Sequence, residues 1–192
     1  MKVIAFNGSP RKKGNTALLI NRVFDELKKA GIETELVQLG AQNIKGCLGC
    51  LKCFDAADNT CVSRKDDILN DCFQKMLASD GIIIGSPTYF ANVSSEVKAL
   101  IDRAGMLSIA NGYALKRKVG AAVVAVRRAG AANVFDAINK FFFINQLIVP
   151  GSVYWNLGVG REKEEAANDE EGLNTMKVLG ENMAWLLNKC YR

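Results

Sequence analysis

Residues 3–16 read VIAFNGSPRKKGNT, an apolar run that stops abruptly at Asn7 and Gly8 and is followed by a basic, glycine-bounded turn. Immediately beyond it, Ile20, Val23, Phe24 and Leu27 recur at helical spacing. This is the start of a strand–loop–helix unit, and the rest of the chain repeats its rhythm. Further apolar runs fall at Leu36 to Leu39, Ile82 to Ile84, Val119 to Val126 and Leu147 to Val153. Between and after them lie four more helical patterns: Leu69, Cys72, Phe73, Met76; Val97, Leu100, Ile101, Ala104; Val134, Ile138, Phe141, Phe142; and Leu179, Met183, Leu186, Leu187, Cys190. Strands that are apolar throughout need cover on both faces, so the pattern predicts an α/β fold with a doubly wound five-stranded parallel sheet and helices on both faces. Right-handed crossovers make the flavodoxin-like strand order 2-1-3-4-5 the leading topology and put any ligand beyond the C-terminal ends of strands 1, 3 and 4.

Composition narrows the chemistry. At 192 residues, with 49% hydrophobic residues and no linker or repeat, residues 1–192 read as one domain. No apolar run reaches the 18 or so residues that a bilayer span needs, and a cytoplasmic protein is expected. The formal charge of +5 comes from scattered Lys and Arg rather than one basic stripe, so no nucleic-acid partner is required. There is no histidine, which removes Ser/His/Asp and Cys/His catalysis and every His-containing zinc site.

In the turn after the first strand, Ser9, Asn15 and Thr16 offer short polar side chains, Arg11 a cation, and the following helix its free N-terminal amides. Together they make an anion site. The turn has no GxxxxGK[ST] and no GxGxxG, so a single terminal phosphate, as in FMN, fits better than a nucleoside triphosphate or a dinucleotide. After the third strand, GSPTYFANVS at 85–94 sets a proline and two aromatics at a strand end, a flat wall suited to a planar ring.

The stretches GSPRKKGNT at 8–16 and GSPTYFANVSSEVKALIDR at 85–103 together resemble the NADPH-dependent FMN reductase family of flavodoxin-like proteins. The resemblance implies that Ser9, Arg11, Asn15 and Thr16 hold the FMN phosphate. It further implies that Pro87, Thr88, Tyr89, Phe90 and Asn92 contact ribityl and isoalloxazine, and that Arg127 and Gly130 belong to a third flavin-side loop. No catalytic side chain is expected, because hydride and single-electron chemistry takes place on the flavin itself.

Cys47, Cys50, Cys53 and Cys61 form the pattern CxxCxxCx7C within a glycine-containing loop at 46–62. Three thiolates packed this closely with a fourth on the return suit an iron-sulfur cluster; structural zinc and metal-free thiols or disulfides are the competing readings. The run resembles that of the iron-sulfur flavoproteins, which implies a [4Fe-4S] cluster near the FMN. The remaining two cysteines, Cys72 and Cys190, fall on apolar helical positions and are expected to be inert core thiols.

The expected function is thus an FMN-dependent oxidoreductase passing electrons between a [4Fe-4S] cluster and FMN to reduce a small-molecule acceptor. The resemblance implies ferredoxin or NAD(P)H as donor and a homodimer or homotetramer as the assembly. A cluster-free NAD(P)H-dependent FMN or quinone reductase and a redox- or metal-sensing regulatory module are the alternatives.

Overall fold

The computed structural model describes residues 1–191. Its elements in order are β1 (Lys2–Asn7), α1 (Asn15–Lys29), β2 (Glu33–Gln38), α2 (Lys52–Ala56), α3 (Leu69–Leu77), β3 (Gly81–Pro87), α4 (Ser95–Ala110), β4 (Val119–Val126), α5 (Ala131–Ile144), β5 (Leu157–Val159) and α6 (Glu170–Cys190), with a short 3₁₀ turn at Glu165–Asn168 before α6. The five strands form one sheet in the order β2-β1-β3-β4-β5, parallel throughout.

Alternation along the central strands divides the core in two. Ile4, Phe6, Ile82, Ile84, Ala122 and Val124 face the layer of α3, α4 and α5, while Val3, Ala5, Ile83, Ala121 and Val123 face α1 and α6. Every residue of β4 is buried, as a strand covered on both faces requires. Glycines set two close approaches: a Cβ on Gly120 would lie 2.8 Å from the Phe142 ring, and one on Gly180 would lie 2.7 Å from the Val23 carbonyl, where α6 crosses α1.

The fifth strand departs from the expectation. Leu147 to Val153 is not a strand: only Ile148 touches the sheet, in an isolated parallel bridge to Val119, and β5 forms later, at Leu157–Val159. Pro150 has no N–H to give to a ladder, so the chain leaves the sheet there and rejoins it beside Val124. The charged run that follows β5 from Arg161 is ordered by contacts with the sheet layer. It contains the 3₁₀ turn, buries Ala166, and ends at Asp169, whose carboxylate accepts from the amides of Gly172 (3.0 Å) and Val159 (2.6 Å). Among the described residues no helix is long and apolar enough to cross a membrane.

Candidate functional site: a phosphate cleft and a cysteine hollow

The loop after β1 is held by the protein's own hydrogen bonds. Asn7, fully buried at the end of β1, donates from its side-chain amide to Gln38 Oε1 on β2 (2.8 Å) and accepts from the Ser9 amide (3.1 Å). Gln38 Nε2 donates in turn to the carbonyls of Ser9 (2.7 Å) and Gly40 (2.8 Å). On the other side the Gly8 amide donates to the Gly85 carbonyl at 2.8 Å. Ser94, which caps α4 by accepting from the Val97 amide, donates to the Gly8 carbonyl at 2.9 Å. Neither Asn7 nor Gln38 stands out in the sequence, because each acts through the loop and not through a motif. Asn7→Ala removes two bonds from this buried network and is expected to weaken FMN binding about tenfold, readable by flavin fluorescence titration.

Beyond these loops lies a cleft of about 270 Å³ at the C-terminal ends of β1, β3 and β4, where an open α/β sheet places its ligand. Ser9, Arg11, Asn15, Thr16, Pro87, Thr88, Tyr89 and Arg127 of the expected set line it, together with Gly160 and Arg161. The helix α1 starts at Asn15, with Gly14 at its N-cap, no side-chain cap and no acid in its first turn. Its amides and the guanidinium groups of Arg11, Arg127 and Arg161 therefore favour an anion. Arg161 was hidden in sequence by its charged neighbours; the chain brings it in by returning along β5.

The other expected residues have different roles here. The Asn15 side chain is spent on the β5–α6 connection, donating to the Glu162 carbonyl at 2.9 Å and accepting from the Ala166 amide at 3.2 Å, so what it can offer a phosphate is its backbone. Phe90 and Asn92 do not line the cleft. Tyr89 and Asn92 exchange backbone hydrogen bonds at 3.0 and 2.9 Å, closing a tight turn whose tip, Phe90 and Ala91, has φ of 47° and 56° and leaves Phe90 fully exposed. Gly130 also stands off the cleft, and its small size serves a contact between loops: with φ of 87°, it lies where a Cβ would come within 2.9 Å of Ala91.

The cysteine loop forms a second site. Cys47 and Cys50 are exposed, Cys53 and Cys61 half-buried, all four are free thiols, and all four line one small hollow of about 30 Å³ against α4. Two local contacts shape it. The Gly49 amide donates to Cys47 Sγ at 3.4 Å, and Cys50 Sγ lies 3.1 Å from Ser63 Oγ, a contact that lowers the pKa of the Cys50 thiol. Burial raises that of Cys53. The Cys61 backbone is tied to α3 through Asn70, which accepts from its amide at 2.8 Å. The sulfurs stand around the hollow and do not converge on a point: among the described residues no three Cys, Asp or Glu groups are placed to share a metal ion. Cys72 is the inert core thiol expected, with burial pushing its pKa up to about 12. Cys190 is not, since it is exposed near the end of α6, where the last turn has run past the core.

A doubly wound parallel sheet in the order β2-β1-β3-β4-β5, with its cleft at the switch point, defines the flavodoxin-like class of folds. The chain belongs to the NADPH-dependent FMN reductase family, whose model matches residues 1–162, and it is by that membership an FMN-dependent oxidoreductase. It is 39% identical over 191 residues to an iron-sulfur flavoprotein of Methanocaldococcus jannaschii, with 96% of each chain covered. It is 32% identical over 195 residues to an iron-sulfur flavoprotein of Methanosarcina thermophila, covering 97% of this chain and 95% of that one. Among solved structures, RosB bound to 8-demethyl-8-formylriboflavin-5'-phosphate superposes with a TM-score of 0.77 at 20% identity, covering 98% of this chain and 79% of the other. An NAD(P)H:quinone oxidoreductase from Methanothermobacter marburgensis gives 0.66 at 12% identity, covering 95% and 96%; these two likenesses concern the fold.

Proposed function

We propose that the chain is an FMN-dependent electron-transfer oxidoreductase that carries FMN in the cleft at the ends of β1, β3 and β4 and a [4Fe-4S] cluster on Cys47, Cys50, Cys53 and Cys61. The observation that carries this reading is that four free thiols of one loop line a common hollow in the same chain that presents a cleft lined by Arg11, Arg127 and Arg161 at the start of α1. The donor set suits the cluster, being all thiol with no imidazole in the chain, and the relatives named iron-sulfur flavoproteins support it. When bound, FMN supplies one- and two-electron chemistry and the cluster single-electron chemistry.

The protein's share is binding and orientation. Ser9, Thr16, Arg11 and the first-turn amides of α1 receive the phosphate; Arg127 and Arg161 add positive charge at the rim; Pro87, Thr88 and Tyr89 form the wall for the ring. Thr88 is held in place by donating from its amide and its hydroxyl to the Ala125 carbonyl, at 2.9 and 3.1 Å. Ferredoxin or NAD(P)H is the proposed donor and a small molecule the acceptor. A homodimer or homotetramer is the proposed assembly, supported by the exposed apolar side chains of Phe143, Tyr154, Trp155 and Trp185 and testable by light scattering.

One observation favours a second reading, a cluster-free NAD(P)H-dependent FMN or quinone reductase: the hollow has room for about one water, and its sulfurs do not converge. Analysis of anaerobically purified protein decides between them. About four iron and four acid-labile sulfide per chain beside one FMN supports the cluster; FMN with neither iron nor sulfide supports the simpler reductase.

A further inference from the structure

Two arginines to which the sequence reading gave no role line the cysteine hollow. Arg103, on α4, is 2% exposed and lies against Asp67, whose side chain is fully buried. Its Nη1 donates to Asp67 Oδ2 (2.5 Å) and to the Lys45 carbonyl (3.0 Å), and its Nη2 to the Arg64 carbonyl (2.7 Å). Asp67 accepts in addition from the amides of Lys45 (3.0 Å) and Leu69 (3.1 Å). Lys45 precedes the first cysteine and Arg64 follows the last, so this one ion pair clasps both ends of the cysteine loop onto α4.

The clasp leaves donors over. The Nε–H groups of Arg103 and of Arg64 are both buried and both without a partner, and both residues line the same hollow as the four thiols. Burial opposes the charge on Arg103, yet the neighbouring Asp67 and Cys61 outweigh it and hold its pKa above the ordinary value. Buried donors are nearly always satisfied. Two left open, on two cations that line one hollow, are suited to an anionic acceptor there.

We propose that Arg103 and Arg64 are positioning residues for an anionic sulfur cage in the cysteine hollow, with their Nε–H groups donating to its sulfurs and raising its reduction potential. The inference rests on the cluster reading above and adds a role for two residues toward it. Four thiolates around a 2+ iron-sulfur core carry a net charge of about −2, which becomes more negative on reduction. Donors fixed beside the sulfurs favour the reduced form, since hydrogen bonds to sulfur and local charge set such potentials.

The test is an EPR-monitored redox titration of the anaerobically purified holoprotein, wild type against Arg64→Met, Arg103→Lys and Arg103→Met, with iron, sulfide and FMN quantified for each. Arg64→Met is expected to load its full iron and FMN and to shift its cluster midpoint downward by at least tenfold in the reduction equilibrium, about 59 mV for one electron. Arg103→Met leaves Asp67 buried without its cation and is expected to lose most of its iron while keeping FMN, and Arg103→Lys to recover part of the loading. A wild type with its cluster, and an Arg64→Met whose midpoint is unchanged, overturns the role of the arginines and leaves the cluster reading standing. A wild type that holds FMN but neither iron nor sulfide overturns the cluster reading, and this inference falls with it.

Discussion

Cys61→Ala is expected to retain about one FMN per chain while its iron and acid-labile sulfide fall from about four each to below one. Cys47, Cys50 and Cys53 fall within seven residues of chain, whereas Cys61 lines the hollow from the return of the loop, with its backbone fixed to α3 by Asn70. No other thiol can replace it: Cys72 is buried in the core, its pKa pushed up to about 12, and Cys190 lies near the far end of α6. The cleft proposed for FMN shares no lining residue with the hollow, so flavin binding is expected to survive. The check is metal, sulfide and flavin analysis on the variant and wild type purified side by side without oxygen. An unaltered iron content would remove Cys61 from the ligand set.

Gly8→Ala is expected to weaken FMN binding by about a hundredfold and to cost about 1–3 kcal/mol of stability. The added methyl would stand 2.2 Å from Val97 Cγ2 and 2.9 Å from the Gly85 carbonyl oxygen. Val97 is fully buried on α4 and cannot swing aside, so the loop itself must lift. Lifting it breaks the Gly8–Gly85 bond and the Ser94 hydroxyl's bond to the Gly8 carbonyl, the two contacts that seat the loop against β3 and α4. Flavin titration and urea unfolding read the two effects. Adding Val97→Ala makes room for the methyl and should restore part of the flavin affinity, a coupling that a double-mutant cycle measures. A Gly8→Ala variant that binds FMN as the wild type does would show that the seating of this loop against β3 and α4 does not govern flavin binding.

Much of this was legible in the chain itself. Short continuous apolar runs placed β1, β3 and β4, and period-3.6 patterns all five longer helices, because strands covered on both faces are apolar throughout and helices bury one stripe. The edge strand was misplaced for the complementary reason. At the margin of a sheet an apolar stretch is not obliged to pair, and Pro150 diverts the chain so that the shorter, less apolar LGV at 157–159 forms the strand instead. Cys190 was misread in the same way, since helical spacing says which face a residue lies on but not whether the core extends that far.

The loop after β1 and the cysteine run were visible because each is set by neighbours in sequence: a helix start beside a basic turn, and four thiols within fifteen residues. Which side chains are free to act there was not visible. Asn15 is consumed by a segment some 150 residues away in sequence, Arg161 enters the cleft along β5, and Arg103 reaches the cysteine loop from α4. Sequence by itself determined the fold class, the strand ends at which the cleft opens and the run of cysteines that lines the hollow, since these follow from local patterning and short-range spacing. Only the tertiary structure decided which polar groups are already paired and which remain open, because hydrogen bonds are satisfied by whatever the fold brings near, without regard to distance along the chain.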